Sequence, residues 1–129
     1  MSNLVLSSLG KTWLIDIDGT IVKHNGHLID GQDTILEGVK ETWEQFDEQD
    51  HIVLLTARKA CYAEQLEHTL NENGIRFDQI IYDLPHGERV LINDKKPSGL
   101  MTAYAVNKDR DRPLDIGLKI SPELWKKPA

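Results

Sequence analysis

Short, continuously apolar runs separated by amphipathic stretches leave this chain few folds to adopt. They are WLIDI at 13–17, HIVLLT at 51–56, QIIYDL at 79–84 and RVLIND at 89–94, with a weaker one, TAYAVN, at 102–107. Runs of this length without polar alternation are expected as strands of a parallel sheet covered on both faces. Between the first two, Ile35, Leu36, Val39, Trp43 and Phe46 recur three or four apart, the spacing of one helical face. Thr34 and Glu37 have the spacing of a capping box at its start. After the second run, Tyr62, Ala63, Leu66 and Leu70 form another stripe, and Asn73-Gly74 is a helix stop. The alternation predicts an α/β fold with right-handed crossovers.

One insertion interrupts the pattern. Asn25-Gly26, flanked by IVKH and HLI, predicts a tight hairpin at 21–29. A C-terminal tail runs from about 108 to 129; the first ten residues and the stretch LKISPELWKKPA at 118–129 are uninformative, apart from Ser121-Pro122, which could start a short helix. With 129 residues, a single domain is expected, its core at about 11–107. No apolar stretch is long enough to span a membrane, and no leader pattern is present. Cys61 is the only cysteine, which excludes an internal disulfide and suits a reducing, cytoplasmic setting. A formal net charge of −6 argues against nucleic acid as a partner.

The polar residues at the ends of these runs carry the functional signal. Asp16 and Asp18 close the first, Thr56 the second, and Asn93-Asp94 the fourth, while Pro85-His86-Gly87 follow the third. Ligands of open parallel sheets gather at the carboxyl ends of the strands. Carboxylates brought together there repel one another unless a cation joins them, and an all-oxygen set suits Mg²⁺. No Cys/His spacing suggests Zn²⁺. Asp16-Ile17-Asp18-Gly19-Thr20 alone could be a hydrogen-bonded turn. A Ca²⁺-binding EF-hand loop is excluded, because Ile21 stands where that loop has Gly and His27 where it has Glu.

With these residues in this order, the chain resembles the haloacid dehalogenase superfamily, and in particular its small capless phosphatases, similar to the 3-deoxy-octulosonate 8-phosphate phosphatases. Asp16-Ile17-Asp18-Gly19-Thr20 matches the first motif, Thr56 the second and Asn93-Asp94 the fourth. The resemblance implies a Rossmann-like, three-layer fold with a mainly parallel sheet, a β-hairpin flap and no cap domain. It implies that Asp16 is the nucleophile and forms an aspartyl-phosphate. Asp18 would be the general acid and then the base, a second carboxylate nearby favouring retention of its proton. Mg²⁺ would be held by Asp16, the backbone carbonyl of Asp18 and Asp94, with Asn93 in the outer sphere, and Thr56 would donate to a phosphoryl oxygen.

The family's third motif, a Lys or Arg that neutralises the phosphoryl group, has no clear match. Lys96 leaves the fourth run at the correct end and is favoured; Lys95, His86 and Arg58 are alternatives. Arg89 begins that run and is expected at the wrong end of the sheet. Arg58, His86 and Gly19 are candidates for binding substrate, Arg58 through its fork of donors. The implied activity is hydrolysis of a small phosphorylated metabolite, a sugar phosphate first, by a dimer or tetramer. A phosphatase or phosphotransferase acting on a nucleotide, lipid or protein shares this chemistry. A dehalogenase does not need Asp18 or a metal. A catalytically silent binding domain is the rival from another class.

Overall fold

The computed structural model describes residues 2–125, which form a mixed α/β fold with parallel sheets and, among these residues, no closed barrel. Strand β1 (Ser2–Leu6) is followed by β2 (Thr12–Asp16), a one-turn helix α1 (Gly26–Ile29), helix α2 (Val39–Glu44) and β3 (His51–Leu55). A 3₁₀ turn (Ala60–Tyr62) leads into α3 (Ala63–Glu72), then come β4 (Gln79–Ile81), β5 (Ile116–Ile120) and a closing 3₁₀ turn at Pro122–Leu124. The main sheet has the order β2-β3-β4, all parallel, and β1 pairs with β5, also parallel, in a second sheet.

β3 meets the expectation for a strand covered on both faces: Ile52, Val53 and Leu54 are buried. β2 does not, since Leu14 is exposed. Its Trp13 stacks on Phe46 with ring centroids 4.5 Å apart and donates through Nε1 to Asp50 Oδ2 at 3.0 Å. Asp50 is buried and also accepts the backbone N–H of Lys11 at 2.9 Å and of Asp47 at 3.1 Å, so one carboxylate ties the start of β2 to the turn before β3. Val39 and Trp43 of α2 and Leu66 and Leu70 of α3 pack with Ile52, Leu54 and Ile75 into one core, as the helical spacing predicts. Asn73 ends α3 and Gly74 takes a φ of +69°, the expected stop.

RVLIND is not a strand. Val90 and Ile92 are 82% and 91% exposed, and TAYAVN is irregular as well. Apolar composition does not make a strand without a ladder partner, and here local bonds use the polar groups. Asn93 Nδ2 donates to Thr102 O at 2.9 Å, Thr102 Oγ1 to Asp94 O, and Gly99 N to Lys96 O at 2.8 Å.

The tight hairpin at 21–29 is also corrected. Asn25 has the left-handed φ of 58° that the motif favours, but the chain then winds into α1, Ile29 N bonding Asn25 O at 2.9 Å. The return comes later: Lys23 N bonds Thr34 O at 3.0 Å and Leu36 N bonds Ile21 O at 2.9 Å, so 24–33 form a wide loop. Thr34 is therefore no cap. Gly38 precedes α2 with φ +85°, and a Cβ there would lie 2.1 Å from Leu114 O, so only glycine fits. The chain ends, read as uninformative, also carry two paired strands. Leu114 is buried in the core, Leu114 N bonds Glu37 O at 2.8 Å, and β5 returns to pair with β1.

Candidate active site

Parallel pairing places Asp16 opposite Leu55, so the carboxyl ends of β2 and β3 fall together with Asp16 on one and Thr56 just past the other. The backbone then turns sharply, the carbonyl of Ile17 accepting from the N–H of Ile21 at 2.9 Å and of Val22 at 3.1 Å. Ile17, Ile21 and Val22 are fully buried. Apolar residues thus anchor the turn that carries the two acids.

The acids are held differently. Asp18 is nearly buried, and both its oxygens accept: Oδ2 from Thr56 Oγ1 at 2.7 Å, Oδ1 from Arg58 Nε at 2.8 Å. The Arg58 backbone N–H donates to Thr56 Oγ1 at 3.0 Å, which orients that hydroxyl toward Asp18. Asp16 lies open, its carboxylate 37% exposed, with Thr20 Oγ1 at 3.0 Å from Oδ2 and Arg89 Nη1 at 2.8 Å from Oδ1. A solvated ion pair of this kind is worth at most about 1 kcal/mol, so Arg89 can exchange Asp16 for another anion at little cost.

The expectation that Arg89 lies at the wrong end of the sheet is thereby corrected. It rested on a strand at 89–94, and without that strand the guanidinium reaches Asp16. Lys96 is directed elsewhere, its ammonium 5.5 Å from the ring centroid of Trp125. Lys95 and His86 are exposed. Arg58 is buried, and its donors go to Asp18 and Asp33. Thr56 is fully buried and its one hydroxyl proton is directed to Asp18.

Gly19 has φ +85°, and a Cβ would meet Arg110 Cγ at 3.1 Å. Its carbonyl accepts from Lys108 Nζ at 3.0 Å and Asp111 N at 2.9 Å, while Asp111 Oδ1 accepts from His24 N at 2.7 Å. The 108–111 segment therefore closes over the acidic turn. Burial lowers the pKa of Lys108 below the usual lysine value, opposed by the charges of Asp111, Asp109 and Asp16. Sequence reasoning missed Lys108, Asp111 and the buried Asp33. No motif marks them, and only the return of the chain through Leu114 brings the first two to the turn.

Mg²⁺ would need the Asp94 carboxylate beside that of Asp16 and the backbone carbonyl of Asp18. Asp94 and Asn93 instead lie on the exposed irregular stretch, bonded locally to Thr102, and no group of three or more His, Cys, Asp or Glu side chains able to hold a metal occurs among the described residues. As arranged, Asp16, Asp18 and Asp94 form no such side-chain group. Two surface depressions, lined by Cys61, Glu64, Gln65 and His68 and by Lys40, Trp43, Glu44, Asn73, Gly74 and Arg76, include none of the acidic-turn residues.

The arrangement defines an α/β fold with an acidic pair, one member open and one held, at the carboxyl edge of a parallel sheet. No helix among the described residues is long and apolar enough to cross a membrane. Comparison with known protein families, curated proteins and solved structures gives no match.

Proposed function

We propose that the chain is a phosphatase of the haloacid dehalogenase type that hydrolyses a small phosphate monoester, a sugar phosphate first, by way of an aspartyl-phosphate. One observation supports this reading above the others: Asp16 lies open at the end of β2 while Asp18, two residues on, is fixed from β3 by Thr56 and Arg58. Asp16 Oδ attacks phosphorus, the bond from phosphorus to the ester oxygen breaks, and the departing oxygen takes a proton from Asp18. Water then attacks the aspartyl-phosphate and gives its proton to Asp18, releasing inorganic phosphate and the Asp16 carboxylate. With both oxygens accepting hydrogen bonds, Asp18 stands as it does before the second, proton-accepting step, and the proton gained there is the one that the first step of the next turnover gives to the departing oxygen. Arg89 takes the third-motif role, leaving Asp16 for the phosphoryl oxygens, and Lys108 adds a second cation close by.

Mg²⁺ stays in the proposal as the cofactor the resemblance implies, and the steps above do not depend on it. The cytoplasmic setting and a homo-oligomer that closes the capless site belong to the same proposal. Release of phosphate from a panel of aryl, sugar and nucleotide monoesters, with and without Mg²⁺, tests activity and substrate class together. If Mg²⁺ raises turnover and Asp94→Asn removes that gain, Asp94 joins the acids during the reaction.

A second reading, a catalytically silent phosphate-binding domain, is favoured by the Thr56 proton directed to Asp18 and by Arg89 seated on Asp16. Phosphate binding without turnover across the panel would select it.

A further inference from the structure

Asp33 lies in the wide loop before α2, with its carboxylate wholly buried. Both oxygens face the Arg58 guanidinium, Oδ2 at 3.0 Å from Nη1 and Oδ1 at 2.6 Å from Nη2. Such a two-point fork fixes the plane of the guanidinium as well as its place. With the two terminal nitrogens held, Nε is aimed at Asp18 Oδ1 at 2.8 Å. Burial works to lower the pKa of Arg58, but the carboxylates of Asp33 and Asp18 outweigh it and hold the pKa above the usual value.

A buried carboxylate is a costly way to gain stability, because desolvating an ion pair largely cancels its attraction, and apolar residues of similar volume often serve as well. What a buried pair supplies is a fixed direction. We infer that Asp33 is a positioning residue for the reaction: it orients Arg58 so that Nε–H, together with Thr56, sets the angle at which Asp18 exchanges its proton. The kinetic part of this inference rests on the proposed phosphatase reading; the structural part rests on the geometry alone.

The test compares wild type, Asp33→Asn and Asp33→Glu in two readouts, steady-state hydrolysis of an aryl phosphate and the ¹H–¹⁵N resonance of Arg58 Nε. Asp33→Asn is expected to lower kcat about tenfold or more with KM within about twofold, the pattern of a group that acts on the transition state. The same variant should shift or lose the Nε–H resonance, and Asp33→Glu should recover part of both. Unchanged kcat, or an unchanged Nε–H resonance in Asp33→Asn, overturns the inference. Should wild type lack activity, the phosphatase reading fails and the resonance decides the positioning claim by itself. Should Asp33→Asn not fold, Asp33→Asn/Arg58→Gln leaves no lone buried charge. That double variant is expected to match Arg58→Gln in kcat, and wild-type kcat would overturn the claim.

Discussion

Arg89 donates through Nη1 to Asp16 Oδ1 at 2.8 Å, although the two residues are 73 positions apart and the sequence pattern puts them at opposite ends of a sheet. If Arg89 transfers from this carboxylate to the phosphoryl oxygens, Arg89→Ala loses a charge-assisted bond of about 1.5–3 kcal/mol. kcat/KM should then fall about tenfold to a hundredfold. Lys96→Ala, which loses a contact with Trp125, should change it less than about twofold. Steady-state kinetics of the two variants rank the candidates, and a larger loss in Lys96→Ala would return the third-motif role to Lys96.

Thr56 connects the strand end to Asp18 through a buried hydroxyl that donates to Asp18 and accepts from the Arg58 N–H. Thr56→Val keeps the shape and leaves that N–H without its acceptor, at a cost of about 1–3 kcal/mol. Urea unfolding should show this loss, and kcat should fall while Thr56→Ser retains most of both.

Gly38 and Leu114 test the docking of the returning chain. Gly38→Ala must relieve a Cβ placed 2.1 Å from the Leu114 carbonyl oxygen and hold an alanine at φ +85°. The strain is expected to cost more than about 2 kcal/mol. Gly31→Ala, with φ +74° and nothing within 4 Å, should cost only about 1 kcal/mol. Equal unfolding midpoints for the two variants would contradict the contact.

His27 gives a pH signature. Its pKa is below the ordinary 6.5, first through burial, then through the charge of Arg58 and of His24, with Asp33 and Asp18 acting in the opposite sense. The unfolded chain therefore binds the extra proton first as pH falls through about 6.5, and stability declines in that direction. Its ring also meets Tyr62 edge-on with centroids 5.0 Å apart, so His27→Phe keeps the aromatic contact. Urea midpoints across this range should fall less steeply in His27→Phe than in wild type, and identical slopes would contradict the assignment.

The elements that follow the core pattern were legible in the sequence. Val39, Trp43, Leu66 and Leu70 sit where helical spacing puts them, and β2, β3 and β4 pair in parallel as their apolar runs suggest. Asp16, Asp18 and Thr56 gather at one sheet edge because Asp16 ends such a strand and Thr56 and Asp18 follow within two residues of a strand end. Legibility stops where tertiary partners decide the outcome. Leu91 and Ile92 read like Ile52 and Val53, but in the structure they lack the ladder that would bury them, so Asp94 stays apart from Asp16 and Asp18. Asn25-Gly26 supplied its turn, but the pairing partner was Thr34 instead of the residues just past the turn. Asp33 was invisible because an isolated acid in a polar loop carries no pattern; burial against Arg58 gives it its place.

Asp16 is the proposed nucleophile of a phosphate-ester hydrolase. Purified protein is incubated with an aryl phosphate, with and without Mg²⁺, alongside Asp16→Asn, and phosphate release is followed together with acid-trapped phosphoprotein. Turnover by wild type, phosphate trapped on Asp16 and neither signal in Asp16→Asn are the expected results. Equal turnover by wild type and Asp16→Asn, or no turnover by wild type on any ester with added metal, would contradict that role.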